Sequence, residues 1–311
     1  MAGGTVAAPA RSVRAPKGMT ERSREERRTG WLLCAPAVIV MLLVTGYPIA
    51  YAIYLSLQKF DLRFPSEKEF IGLSNYGDVL GSSLWWSDVA HTVIITVFSV
   101  GLELVLGMAI ALVMHRAIFG RGAVRAAVLI PYGIVTVVAA FGFLYAFQPT
   151  SGFVPKLLGL SSDPFASQSG SFIVIILTEV WKTTPFMALL LLAGLALVPD
   201  ELQEAAKVDG ANAVQRFFRI TLPLMRPAIL VALLFRTLDA FRIFDTVFIQ
   251  TRGANRTETV SILGYNELIT RLNLGVGSAV SVLIFICVII IAFFFVKVLG
   301  TSTAQQRGEA A

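Results

Sequence analysis

Long apolar runs alternate with short polar stretches along this chain. Each run is about 20 residues or longer, the length that an α-helix needs to cross the hydrocarbon core of a bilayer. The runs are continuously apolar and do not alternate with a period of two, so they predict helices and not the strands of a membrane barrel. The pattern predicts six transmembrane helices, at approximately residues 31–57, 91–115, 124–147, 171–196, 224–249 and 278–299.

The segments outside these runs are too short for a sizeable soluble domain, so we assign the chain to the all-α polytopic membrane class. Residues 1–30 are rich in Ala, Gly, Pro and Arg, a composition typical of a disordered tail. Residues 31–299 make up the six-span domain, with a polar loop at 200–223, and residues 300–311 form a C-terminal tail. The first apolar run is too long for the core of a cleavable signal peptide.

Lys and Arg residues are unequally divided between the two sides of the membrane. Sixteen lie in or beside the N-terminal tail, the 116–125 loop, the 199–226 region and the C-terminal end, and seven lie in the loops at 58–90, 148–170 and 250–277. Because cytoplasmic loops carry the excess of basic residues, we expect both termini and the polar loop to be cytoplasmic.

Composition narrows the candidate chemistry. The 311 residues are 56% hydrophobic and only 15% charged, against about a quarter charged in soluble domains. Cys34 and Cys287 both fall inside apolar runs, where free cysteine is a packing residue. No Gly-Lys pair occurs in the sequence, so the usual phosphate-binding loop for ATP is absent. The spans also lack a nucleophile–base pair and a metal-ligand cluster, which argues against an intramembrane enzyme.

The polar loop contains the stretch EAAKVDGANAVQRFFRITLP, residues 204–223. Its pattern predicts two short helices: Asp200 and Gln203 would form a capping pair for the first, and Gly210 would end it. The second would begin at Ala211 and present a hydrophobic face formed by Val214, Phe217, Phe218 and Thr221. An amphipathic connector lying in the headgroup plane fits this pattern as well. A DNA-binding helix-turn-helix does not fit, because the loop is held between two spans.

The layout of this stretch resembles the cytoplasmic EAA signature of permease subunits in binding-protein-dependent ATP-binding-cassette (ABC) importers, in their sugar-importing, maltose-type branch. Segments at Pro48–Ser56, 181–186 and 236–245 also resemble the family, whereas residues 251–255 (TRGAN) depart from its usual Thr-x-Gly-Gly-Pro. The signature positions are Glu204, Ala205, Ala206, Asp209, Gly210, Ile220, Leu222 and Pro223.

The resemblance implies a type I importer permease fold in a bacterial plasma (inner) membrane. It implies that the loop is a coupling element seated in a cleft of a cytoplasmic ATPase, with Glu204 pairing with a basic group there. The implied partners are a second homologous permease, two ATPase subunits and an extracytoplasmic solute-binding protein or lipoprotein that meets loops 58–90 and 250–277. This chain would bind no cofactor, because the partners would use ATP and Mg²⁺, and no nucleic acid. The implied substrate is a carbohydrate, such as the disaccharide trehalose.

Ionisable residues inside the spans mark a candidate substrate path, because such residues usually face the interior of a helix bundle. In the fifth span they recur every three residues, so they either neutralise one another along the helix or line a hydrophilic path. Aromatic residues of the fourth span either stack on a sugar or simply pack. Glu103 stands alone in the second span, paired within the chain or across a subunit interface. The candidate path residues are Glu179, Trp181, Lys182, Thr183, Phe186, Arg236, Asp239 and Arg242.

The alternative to an ABC permease is a self-contained secondary transporter driven by an ion gradient. That class is typically built from internal repeats with spans broken at matching positions. Pro131 and Pro185 interrupt the third and fourth spans, but the sequence shows no convincing repeat.

Overall fold

The computed structural model describes residues 21–116, 121–159 and 162–308, and most of these residues are helical. A two-stranded antiparallel sheet joins β1 (Gln58–Lys59) to β2 (Glu69–Phe70). The helices are α1 Glu21–Met41, α2 Tyr47–Ser56, α3 Ser74–Gly81, α4 Ser83–Arg116, α5 Arg121–Gly133, α6 Thr136–Ala146, α7 Val154–Leu158, α8 Gln168–Leu195, α9 Asp200–Val208, α10 Ala213–Arg216, α11 Leu222–Leu224, α12 Arg226–Ala240, α13 Asp245–Gln250, α14 Val260–Tyr265 and α15 Leu274–Gly308. Single π-helical turns connect several of them, at Leu42–Gly46, Phe217–Thr221 and Asn266–Thr270.

Each of the six predicted spans has a helical counterpart. Four are single helical stretches that are long and apolar enough to cross a membrane, at Thr29–Ser56, Ser83–His115, Gln168–Leu195 and Leu274–Val298. The third span is two helices, α5 and α6, which meet at an angle of 84°. The fifth span is α12 and α13, and the segment before it, Ala213–Leu224, is bent from it by 68°. The hydrophobic pattern located these spans but showed neither the bend within the third span nor the one at the start of the fifth.

The contact pattern divides the chain into residues 1–51 and 52–311. In the first part α1 begins at Glu21, so residues 21–30 are helical and the expectation of disorder is wrong for them. Their sequence ERSREERRTG is rich in Glu and Arg, which are strong helix formers. Residues 1–20 lie outside the described residues. At the other end, α15 continues to Gly308 through most of the predicted tail.

In the second part, α4, α8 and α12 pack around a shared hydrophobic core. Met187 and Leu191 of α8 are fully buried there, together with Ala232 of α12. Gly107 of α4 lets α8 approach closely, since a Cβ at this position would lie 2.9 Å from Met187 Cγ. A second core lies farther along α4 and α8 around Ile95 and Ile175, where Val247 of α13 joins it. The three helices therefore hold fixed positions in the bundle.

The first and last outer segments form one layer. The backbone N–H of Leu62 donates to the carbonyl of Leu272 at 2.9 Å, and that of Gly275 donates to the carbonyl of Phe60 at 3.0 Å. The buried Asn75 amide donates to two backbone carbonyls beside β1, at 2.8 and 2.9 Å. The loops at 58–90 and 250–277 consequently meet at one end of the bundle.

Candidate functional site

The polar loop folds as a bent pair of helices, residues 200–223, which we call the elbow. At the end of α9 the backbone N–H of Gly210 donates to Lys207 O at 3.1 Å, and that of Ala211 donates to Ala206 O at 2.9 Å. These two bonds form a Schellman motif, in which one residue takes a left-handed conformation. Gly210 is that residue, with φ +81°. The predicted end of the first helix is therefore confirmed, with glycine required by the backbone.

The capping pair lies in the second half of the elbow, not the first. Pro199 precedes α9 and no side-chain cap is formed there, so the predicted Asp200–Gln203 pair is wrong. Asn212 and Gln215 form a reciprocal capping box at the start of α10, with hydrogen bonds of 2.8 and 2.9 Å. Gln203 takes no part in a cap, and its side-chain amide donates to the Thr221 hydroxyl at 2.9 Å.

The Gln203–Thr221 bond ties the two arms of the elbow together. Phe217 of the second arm packs against the core shared by α4, α8 and α12, and Thr221 is buried. Val214 and Phe218, predicted to lie on the same buried face, are exposed. The π-helical turn at 217–221 shifts the register by one residue per turn, so the α-helical spacing placed these two residues wrongly.

The elbow presents most of its signature residues to the outside. Val208, which sequence reasoning missed, is 88% exposed beside the bend. The sequence did offer a signal here, because Val208 is an aliphatic residue in a polar stretch, close to small and acidic residues. Of the predicted coupling residues, Ala206, Ile220 and Leu222 are partly buried, and the exposed ones are Glu204, Ala205, Asp209, Gly210 and Pro223.

A cluster of charged side chains lies inside the bundle, centred on Arg236 of α12, which is 1% exposed. Its guanidinium donates two hydrogen bonds to the carboxylate of Glu103 in α4, of 2.5 and 3.0 Å. It also donates to Glu179 of α8 at 3.1 Å and to Asp239 on its own helix at 2.5 Å. One cation therefore joins carboxylates from three helices, and such a buried group is tolerated only when it is paired in this way.

Two threonine hydroxyls complete the cluster. Thr183 Oγ1 lies 2.7 Å from Glu103 Oε1 and 2.6 Å from the Glu179 backbone carbonyl. Thr246 Oγ1 donates to Glu179 Oε1 at 2.5 Å. Both hydroxyls are buried, so the carboxylates receive hydrogen bonds from neutral donors as well as from the guanidinium.

A cavity of about 460 Å³ opens beside the cluster. Of the predicted path residues, those lining it are Glu179, Lys182, Thr183, Asp239 and Arg242. The lining residues not singled out as path residues from the sequence are Tyr132, Thr136, Ile243, Phe244, Asp245 and Thr246. Tyr132 and Thr136 flank the 84° bend of the third span, so a straight-span reading gave no reason to place them here.

The remaining predicted path residues lie outside the cavity wall. Trp181 is on the other side of α8, with its ring 5.6 Å from that of Phe143, in a separate apolar cavity of about 460 Å³. The ring of Phe186 stacks on that of Tyr132, with 5.4 Å between the ring centroids, so Phe186 contacts a residue that lines the cavity. Arg236 stands behind Glu179 and Asp239. Consecutive positions on a helix point in different directions, which is why Trp181 and Lys182 separate.

The structure also decides the two open questions about pairing. Glu103 is bound within the chain by Arg236, so its pairing partner is not across a subunit interface. Arg236 and Asp239 pair along the fifth span, as the self-neutralising reading requires. Arg242 instead donates to the Leu238 carbonyl of its own helix, 3.2 Å away. The charged residues of the fifth span therefore neutralise one another only in part.

Thr183 and Thr184 provide a matched pair for testing the cluster. Both are buried and both place the hydroxyl 2.6 Å from a carbonyl four residues back, but only the Thr183 hydroxyl also lies within hydrogen-bonding distance of a carboxylate, that of Glu103, to which it can donate its one proton. We expect Thr183→Ala to lower the stability of the purified transporter by about 1–3 kcal/mol, because a buried charged acceptor loses a donor. Thr184→Ala should have a clearly smaller effect. Thermal unfolding of both variants measures the difference, and equal midpoints would contradict the assignment.

The bent third span, the buried charged cluster and the outward elbow fit a permease subunit of an ABC importer. The chain belongs to the family of binding-protein-dependent transport system inner membrane components, which it matches over residues 103–305. It is 55% identical to the trehalose transport system permease protein SugA of Mycobacterium tuberculosis H37Rv, over 91% of this chain and 92% of the relative. It is 38% identical to the trehalose/maltose transport system permease protein MalF of Thermococcus litoralis, over 88% and 94%.

The fold has a counterpart among solved structures. A chain of a bacterial ABC transporter involved in import of the acidic polysaccharide alginate superposes with a TM-score of 0.76 at 21% identity, covering 90% of this chain and 99% of that one. The resemblance to the sugar-importing permease family found in the sequence is confirmed by the family match and by these relatives. The protein is a multi-pass inner-membrane transport subunit of the sugar-permease branch and not an enzyme. Its partners are of the ABC kinds, and the ion-coupled secondary transporter is not supported.

Proposed function

We propose that this subunit carries trehalose, or a closely related disaccharide, into the cytoplasm along a path that includes the cavity beside Arg236. The observation that carries this proposal is the cavity itself, which is walled by carboxylates, cations, threonines and the Tyr132 ring. Sugars are recognised by hydrogen bonds to their hydroxyl groups and by stacking on aromatic faces. The substrate named for two relatives, trehalose, is of this chemistry.

Movement of the path is proposed to come from the elbow. The α8 helix leads into α9, and the second arm of the elbow leads into α12, so the elbow joins the two helices that supply Glu179 and Asp239. A cytoplasmic ATPase that closes on the exposed Glu204, Ala205 and Val208 surface would therefore act on both walls of the cavity. The ATPase subunits, two in number, would use ATP and Mg²⁺, and this chain would bind neither.

The outer layer supports a solute-binding protein as the delivering partner. It presents exposed apolar side chains at Phe64, Phe70 and Leu73, beside ion pairs such as Lys59–Glu67. Apolar groups within a polar rim are typical of a docking surface. With both termini and the elbow in the cytoplasm, this layer faces outward. A second, homologous permease would complete the pore.

A complex assembled from this chain and its partner subunits tests the proposal. In proteoliposomes supplied with loaded binding protein, ATP hydrolysis should rise most with trehalose among a panel of neutral disaccharides and monosaccharides. Glu179→Gln or Asp239→Asn should reduce trehalose uptake by about tenfold, because each removes a charged hydrogen-bond acceptor. Uptake by the isolated chain driven by an ion gradient alone would refute the proposal.

A further inference from the structure

The four groups of the charged cluster play unequal parts. Glu103 is completely buried and does not line the cavity, whereas Glu179 and Asp239 do line it. The Asp239 side chain is 68% exposed. Arg236 therefore stands between a carboxylate that no substrate can reach and two that a substrate can reach.

The hydrogen bonds of Arg236 can be assigned one by one. A guanidinium has five N–H donors in a rigid plane. Nε and one N–H of Nη2 hold Glu103, the other N–H of Nη2 reaches Glu179, and Nη1 reaches Asp239. The fork on Glu103 fixes the plane of the guanidinium, and that plane then fixes where the other two donors point.

The cavity carboxylates keep acceptor capacity after these bonds are made. A carboxylate offers about four lone-pair sites. Glu179 receives one bond from Arg236 and one from Thr246, and Asp239 receives one from Arg236. Both can accept hydrogen bonds from hydroxyl groups in the cavity while Arg236 holds them. A single guanidinium also faces three carboxylates, so this end of the cavity is rich in acceptors.

We propose that Arg236, oriented by the buried Glu103, is a positioning residue that holds Glu179 and Asp239 as hydrogen-bond acceptors for sugar hydroxyls. This inference rests on the proposed function of the cavity and adds two residues to it that touch no substrate. Glu103 acts on the substrate only through Arg236. The acceptors that Arg236 holds suit the hydroxyl groups of neutral polyhydroxy compounds.

The test separates positioning from simple structural support by measuring two quantities. The full transporter is reconstituted with saturating trehalose-loaded binding protein, and labelled trehalose uptake and ATP hydrolysis are recorded together. Glu103→Gln keeps the shape of the side chain but weakens the fork on Arg236. We expect trehalose transported per ATP to fall about tenfold while ATP hydrolysis stays within about twofold. A purely structural role would lower both.

Exchange of the two charges between α4 and α12 provides a second experiment. Glu103→Arg combined with Arg236→Glu restores a pair between α4 and α12 but turns a carboxylate toward Glu179 and Asp239. Thermal stability should recover relative to either single variant, and uptake should not. Thr184→Ala, buried but bonded only along its own helix, is the control and should transport normally. Wild-type uptake by the exchanged variant would overturn the proposal.

These experiments also distinguish a failure of the positioning role from a failure of the proposed function on which it rests. If Glu179→Gln and Asp239→Asn lose uptake but Glu103→Gln keeps the wild-type ratio, positioning is wrong and the path stands. If the two cavity variants transport normally, the path itself is wrong. Should Glu103→Gln fail to assemble, Arg236→Lys decides the matter, because lysine keeps the charge but not the fork. A wild-type ratio in that variant overturns the proposal.

Discussion

Replacing Gly210 by proline is expected to abolish uptake while leaving the spans inserted in the membrane. Proline holds φ near −65° and has no N–H, whereas this position has φ +81° and donates to Lys207 O. The Schellman motif at the bend would be lost, and with it the angle between the two arms of the elbow. Sugar uptake and co-purification of the ATPase subunits measure the effect.

Gly159 is the matched control for this substitution. It also has a left-handed conformation, with φ +64°, and its N–H also donates to a helix carbonyl, that of Pro155. A Cβ at either glycine would meet open space, so both substitutions act only through the backbone. Gly159 lies in the 148–170 loop, away from the elbow, and Gly159→Pro should retain uptake. Equal uptake by the two variants would count against a coupling role for the elbow.

Removal of the Arg236 charge should lower the stability of the bundle strongly. Arg236→Met would leave Glu103 and Glu179 buried without their cation, a change of about 3–5 kcal/mol for a broken buried ion pair. We expect a large drop in the thermal unfolding midpoint of the purified transporter and a low yield of assembled complex. Adding Glu103→Leu to this variant should recover part of the loss, because the uncompensated charge is removed.

Arg242→Met is the comparison for this prediction. Arg242 lines the same cavity as Asp239, but it is exposed and, among the described residues, donates only to the Leu238 carbonyl four positions back. The same substitution there should shift stability by less than about 0.5 kcal/mol, as is usual for exposed positions. An Arg236→Met variant as stable as Arg242→Met would show that the cluster does not support the bundle.

The sequence predicted those features that depend on local chemistry. Apolar length located the spans, and Gly210 marked the bend because no other residue adopts a left-handed conformation as readily. The pairing of Glu103 with Arg236 could not be predicted from the sequence. The two residues are far apart in the chain, and only the packing of α4 against α12 brings them together. Tyr132 was missed for a similar reason, because its approach to the cavity depends on the 84° bend between α5 and α6.

The capping pair shows a second kind of limit. Asp200 and Gln203 have suitable side chains and spacing for a cap, but α9 begins at Asp200 itself and Pro199, which has no side-chain acceptor, takes the capping position. Gln203 is then available for Thr221. The residue at which a helix begins decides whether a capping pair is used, and the spacing of the pair does not fix that residue.

The hydrogen bonds that shape the bend and tie the two arms of the elbow together lie within the elbow itself. Glycine at the bend, the Asn212–Gln215 reciprocal cap and the Gln203–Thr221 link require no partner protein. A loop ordered only on contact would lose about 1–2 kcal/mol of conformational entropy per residue at each association. The elbow has already lost that freedom on folding, so we expect docking of an ATPase subunit to carry little further entropic penalty. Movement of the docked subunit would then pass directly to α8 and α12.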